Sequence, residues 1–246
     1  MTVISPGFVT QVLKFPRHPN ERGEMLRNVS IFKARPDMLS AALSAIGTMN
    51  EPIGRAQIMN SVLKWSNECG KTRGILARGE LQVASTRAFS SAMFAASDDV
   101  RHLSYVALNM LLDSGLVLGK DESLEMGNAL LTGMPRVGSG AIGSKAHGLS
   151  LFTKLVDSRP ELFSEIGKER GMPASEGVGI AMQYLDSGEE IVLSPAIELA
   201  ASYVLNGGAL ADIYMEKIGR LAKFPDAQVS GEAKTLLELA PTGRIL

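Results

Sequence analysis

The chain has 246 residues, 45% apolar and 21% charged, with a formal net charge of −1 at pH 7. This is an ordinary globular composition, with enough apolar material for one large domain or two modest ones. A single cysteine, Cys69, cannot form an internal disulfide, which removes the disulfide-stapled secreted class and points to a reducing compartment, by default the cytoplasm.

The opening residues, MTVISPGFVTQVLKFPRHP, lack a basic head followed by a long apolar run. No window approaches the roughly eighteen apolar residues of a membrane span, so a soluble, unprocessed protein with no membrane span is expected. Charge is unevenly placed. Residues 1–90 carry 12 Lys and Arg against 6 Asp and Glu, whereas residues 91–246 carry 13 against 20. A basic front and an acidic remainder suit either a polyanion partner or head-to-tail association of copies.

Residues 1–35 are punctuated by Pro6, Pro16 and Pro19 around two short apolar segments, FVTQVLKF and NVSIFKA, which read as short strands or an extended arm. From Pro36 the period becomes helical, with Met38, Leu39, Ala42, Leu43 and Ile46 on one face and Gly47 as the stop. A second helix starts at Pro52, buries Ile58, Met59, Val62 and Leu63, and ends near Gly70. Residues 71–96 fit either a hairpin around Arg78 and Gly79 or a broken helix. The next helix has Ser97 as cap, Asp98 and Asp99 at its positive end, a stripe of Leu103, Val106, Ala107, Met110 and Leu111, and Gly115 as its end.

Further helices are expected near 121–132, 147–157, 160–169, 174–186, 195–206, 208–223 and 230–240. Ile197, Ala200, Ala201 and Val204 form one inward stripe; Leu210, Ile213, Tyr214, Ile218 and Leu221 form another. No repeat of fixed period is visible in the residues. The expected architecture is a mainly α, two-lobed, bundle-like protein with a short extended or β arm at its N-terminus. The arm covers 1–35, an N-terminal helical lobe 36–132, a glycine-rich interlobe loop 133–148 and a C-terminal helical lobe 149–246.

The stretch RVGSGAIGSKAHG, residues 136–148, is the first candidate site. Gly138 and Gly143 have the separation of a phosphate loop, but Ser144 holds the lysine position and Lys145 the hydroxyl position, an inversion worth about 100° of helical rotation. Gly138, Gly140 and Gly143 also spell a dinucleotide fingerprint. The preceding LEMGNALLTGMPR patterns as a helix, however, and the required strand is missing. A looser anion site from backbone N–H groups and Lys145 remains as an alternative, a phosphate- or nucleotide-binding enzyme.

Other catalytic sets are poor. His18, His102 and His147 lack the spacing of metal ligands, no G-x-S-x-G elbow occurs, and nothing places a histidine base beside Cys69. Glu189 and Glu190 are adjacent and read as solvated turn residues. No catalytic residue, cofactor or metal is implied. HLSYVALNMLLDSGLVLGKDE suggests a second alternative, a winged-helix DNA-binding regulator, although its acidic residues oppose DNA.

The arm carries the most chemistry. Lys14, Arg17, Arg22, Arg27, Lys33 and Arg35 surround Phe15 and Phe32, and Arg73 and Arg78 continue the positive balance. Cations that neutralise phosphates, beside aromatic faces on which bases stack, are the ingredients of a single-stranded nucleic-acid site. The expected function is therefore a self-associating, RNA- or DNA-coating structural subunit of the nucleocapsid or ribonucleoprotein type, acting as a homo-oligomer.

Overall fold

A computed structural model of the chain describes residues 35–139, 141–171 and 174–240, with the backbone alone for 174–177. Residues 1–34 of the proline-broken arm, with both of its expected strands, lie outside the described residues. Twelve α-helices and one 3₁₀ turn make up the described regular structure, with no strand among them. Mainly α is correct.

The chain divides into two compact units, Met1–Leu118 and Gly119–Leu246. The glycine-rich segment 133–148 lies within the second unit.

The first unit holds α1 (Pro36–Thr48), α2 (Pro52–Glu68), α3 (Gly70–Arg78), α4 (Gln82–Met93) and α5 (Asp98–Asp113). Pro52 suits the first helical position, where its missing N–H is not needed, and Glu51 caps the helix by accepting from the N–H groups of Ile53 at 2.9 Å and Gly54 at 2.6 Å. The ambiguous 71–96 stretch resolves as two helices joined at Gly79–Leu81, so the broken-helix alternative is the one realised. α1 packs on α4 and α2, while α5 packs on α4 and α2. Leu39, Ile46, Ile58, Val62, Phe89, Tyr105 and Leu108 are buried between them.

The face of α5 differs from the expected stripe. Ala107 and Leu111 are buried, but Leu103, Val106 and Met110 are only half-buried, and the inward positions are Val100, Ser104, Tyr105, Leu108 and Asn109. Hydrogen bonding makes these inward polar positions tolerable. Ser104 Oγ donates to the Phe89 carbonyl at 2.6 Å and Asn109 Nδ2 to the Tyr105 carbonyl at 3.0 Å, so both polar side chains are buried with a partner. At the end of the helix Gly115 takes φ +89°, a left-handed conformation that L side chains rarely adopt, and the Arg78 side chain lies across it.

The second unit holds α6 (Lys120–Gly133), α7 (Ile142–Ser158), α8 (Leu162–Arg170), α9 (Ala174–Met182), the 3₁₀ turn Gln183–Asp186, α10 (Glu190–Leu205), α11 (Asp212–Leu221) and α12 (Ala227–Leu239). α7 starts earlier than its apolar period suggests, inside the glycine-rich segment. α10 also begins early and carries Pro195 within it; the hydrogen bond that proline cannot make belongs to Ile191, a residue 62% exposed. α7 packs along α10 and α10 along α12, while α8 lies against α6 and α9. Phe163 of α8 meets Phe152 of α7 at 4.9 Å and Tyr203 of α10 edge-on at 5.5 Å. Arg170 ties α8 to α6 through the Asn128 side chain at 2.6 Å and its carbonyl at 2.8 Å.

One regularity runs through the chain. Helices of 17, 16, 17 and 16 residues, α2, α5, α7 and α10, begin at residues 52, 98, 142 and 190, which stand 46, 44 and 48 residues apart. Within each unit the successive long helices touch: α2 packs on α5, and α7 packs on α10. The repeat absent from the residue identities is present in helix length and packing.

Candidate functional site

The glycine-rich loop is closed on itself. Lys145 is 1% exposed, and its ammonium donates to the carbonyls of Val137 at 2.8 Å and Ser139 at 2.6 Å. The cation that a phosphate loop would aim at its ligand is turned inward and spent on the loop's own backbone. Ser144 is buried as well, Gly138 and Gly143 are in place on either side, and Gly140 lies outside the described residues. This corrects the phosphate-loop alternative.

The winged-helix alternative fails on its wing, since the chain passes from α5 through Val117 and Gly119 directly into α6, with no strand among the described residues. Of the expected nucleic-acid contacts, Lys14, Phe15, Arg17, Arg22, Arg27, Phe32 and Lys33 lie outside the described residues. Arg35 is ion-paired with Asp37 just before α1. Arg73 is half-buried, with its Nε shut off from solvent, and Arg78 covers Gly115. Arg35, Arg73 and Arg78 are thus engaged with, or partly buried in, their own unit. Among the described residues no group of three or more His, Cys, Asp or Glu is placed to hold a metal, and no helix is long and apolar enough to cross a membrane.

The second unit contains a feature that none of these motifs announced. An open groove of about 400 Å³ runs between α7 and α10, lined by Ser150, Thr153, Lys154 and Asp157 from one helix and Glu198, Ala201, Ser202 and Leu205 from the other. Each set is spaced i, i+3, i+4, i+7, one stripe per helix, adjoining the apolar stripe that faces the core. On α7 that apolar stripe is Leu149, Phe152, Leu155 and Val156; on α10 it is Leu193, Ile197 and Ala200. Ala201, read from the sequence as inward, is half-buried at the groove.

Hydrogen bonds tie the three helices of this layer together. Ser202 Oγ donates to Asp157 Oδ1, joining α10 to α7. Ser194 Oγ donates to Glu232 Oε1 at 2.8 Å, and Gln228 Nε2 donates to the same oxygen at 2.9 Å, joining α10 to α12. Glu232 Oε2 is buried with no partner. Burial, then the carboxylates of Glu232 and Asp157, push the Glu198 carboxyl above its ordinary value, with Lys154 acting the other way. The signal available in the sequence was the run of polar residues at helical spacing opposite each apolar stripe. Such runs ordinarily face water, so by themselves they do not mark a groove.

No family model and no curated protein matches the sequence. Solved structures do match. The crystal structure of an engineered protein is similar over 99% of this chain and 100% of its own, with TM-score 0.64 and 11% identity. A designed armadillo repeat protein is similar over 96% of this chain and 99% of its own, with TM-score 0.57 and 14% identity. An archaeal HEAT-like repeats protein from Thermococcus onnurineus NA1 is similar over 97% and 98%, with TM-score 0.50 and 13% identity.

At these identities the likeness is one of fold. The fold is that of a helical-repeat protein, and the spacing of 44 to 48 residues between long helices agrees with the roughly 40–47 residues of HEAT and armadillo units. The expected nucleocapsid-type, nucleic-acid-coating subunit is thereby overturned: the chain has the fold of helical-repeat proteins. An uneven charge count along the sequence had suggested a polyanion face, but it does not say where those charges lie or what they contact.

Proposed function

We propose that this chain is a non-enzymatic helical-repeat scaffold that holds a partner polypeptide against the exposed side of its long helices. The observation that carries this reading is the groove between α7 and α10, where two successive long helices offer matched stripes to solvent. Stacked repeats bury a continuous core on one side of each helix and leave a broad surface on the other, which is the part free to vary with the partner. The polar residues Ser150, Thr153 and Ser202 lie there beside the apolar Ala201 and Leu205, a mixture that suits a polypeptide.

The test is site-specific photo-cross-linking in the source cell. A benzophenone side chain at Ser150 or Leu205 is expected to yield a discrete cross-linked partner. The same group at Ser164 of α8 or Glu216 of α11, both exposed but away from the groove lining, is expected to yield none. Equal yields at all four positions, or none at any, would overturn the assignment of the surface.

A further inference from the structure

The groove has a chemical preference as well as a shape. We infer that the segment it takes carries a Lys or Arg side chain beside an apolar one, an inference that rests on the scaffold function proposed above. Two carboxylates line the groove, Asp157 from α7 and Glu198 from α10, and a third, Glu232 of α12, is close enough to bear on Glu198. One cation, Lys154, lies among the lining residues. The local balance is negative.

The position of each carboxylate favours an incoming cation. Asp157 is held by Ser202, which fixes one of its oxygens and leaves the residue exposed. Glu198 stands where ionisation is opposed by partial burial first, then by Glu232 and Asp157, with Lys154 acting the other way, so a positive side chain that enters relieves repulsion among these carboxylates. Glu232 is fastened to Ser194 and Gln228 and cannot turn away from Glu198 without breaking those bonds.

The remaining lining fits the stem of such a side chain. Ala201 and Leu205 follow Glu198 on the same face of α10, and Leu205 is 66% exposed. Lys and Arg lay their methylenes along apolar surface while their heads reach charge, and an apolar neighbour in the segment covers Leu205. A phosphate-bearing partner meets repulsion from the same carboxylates, so the observations favour a cationic polypeptide over nucleic acid.

Three pools of random nine-residue peptides, with the central residue fixed as Arg, norleucine or Glu, provide the probe. They are passed over immobilised full-length protein at low and at physiological salt. The Arg pool is expected to be retained best, and the preference to fall by about fivefold for each of Asp157→Asn and Glu198→Gln, the worth of a partly screened ion pair. The double variant Asp157→Lys, Glu198→Lys is expected to reverse the order in favour of the Glu pool, with thermal unfolding recorded to show that it folds. Equal retention of the Arg and norleucine pools would overturn the inference while leaving the scaffold surface standing. Retention of none would overturn it too, and the cross-linking experiment then decides separately whether the surface binds a partner.

Discussion

The ammonium of Lys145 lies 2.8 Å from the carbonyl oxygen of Val137, eight residues earlier in the chain, and it closes the glycine-rich loop from inside. A second bond at 2.6 Å to Ser139 leaves this 1%-exposed side chain bound to two carbonyls of its own loop. A buried cation survives only with such partners. Lys145→Met keeps the stem and removes the donor, stranding both carbonyls. It is expected to lower stability by roughly 2–4 kcal/mol, read from denaturant unfolding. A variant as stable as the parent would show that the carbonyls find other donors.

Tyr105 offers the opposite case. Its ring is fully buried in α5, its hydroxyl has no partner, and burial pushes its ionisation up to about 12. Tyr105→Phe removes a buried polar group that makes no bond, and the expected result is a protein as stable or about 1 kcal/mol more stable. The pH dependence has a definite sign. The unfolded chain releases this proton at lower pH than the folded one, so stability falls as pH rises from the ordinary tyrosine value of about 10 toward 12. That part of the alkaline loss should be absent from the Phe variant. A destabilised variant would reveal a bonded hydroxyl.

What the sequence discloses follows from which interactions are local. Pro52 at a helix start, the apolar faces of α1 and α2, and Gly115 as the end of α5 were all readable, because backbone chemistry and period 3.6 act within a few residues. The inward face of α5 differs from the expected one in part because Ser104 looks like a surface residue until its acceptor, the carbonyl of Phe89 on another helix, is in place. The loop at 136–148 was legible as a turn-rich segment but not as a lysine clamp, since nothing in its spacing says which way Lys145 turns. The repeat escaped detection because it lies in helix length and contact, both of which many different residues satisfy. The groove depends on pairs of residues far apart in the chain, of which Asp157 and Ser202, 45 residues apart, are the marker.

Gly208 tests how closely the end of α10 is packed. A Cβ added there would lie 2.4 Å from the ring of Tyr203, an impossible separation, and that ring is the edge-on partner of Phe163. Gly208→Ala is therefore expected to push the ring off Phe163 and cost about 1–3 kcal/mol. Pairing it with Tyr203→Leu removes the obstacle, so the two changes together should cost less than the sum of each alone. Strict additivity in a double-mutant cycle would mean that the ring and the glycine do not meet.

Glu198 makes the last prediction, and it concerns the free protein. Its carboxyl titrates above the ordinary glutamate value for three reasons, burial first, then Glu232, then Asp157, with Lys154 opposing them. A group whose folded value is raised holds its proton longer in the folded state than in the unfolded one. Stability then decreases as pH rises from the unfolded glutamate value, about 4.5, to the raised folded value, and the loss persists at neutral pH. Glu198→Gln keeps the shape and hydrogen-bonding capacity without the charge, so it should stabilise the free protein at pH 7. Because the Glu198 side chain is only partly buried and keeps much of its surface in solvent, the gain is discounted to a few tenths of a kcal/mol. Below about pH 4 the two proteins should converge, since the glutamate is then protonated in both states. The same variant is expected to weaken retention of the Arg-centred peptides, so a single substitution should move stability up and binding down. That opposition is the signature of a residue placed for a partner rather than for the fold. Thermal unfolding of both proteins from pH 4 to pH 8 measures the first half. A Gln variant less stable than the parent at pH 7 would show instead that the Glu198 charge supports the layer.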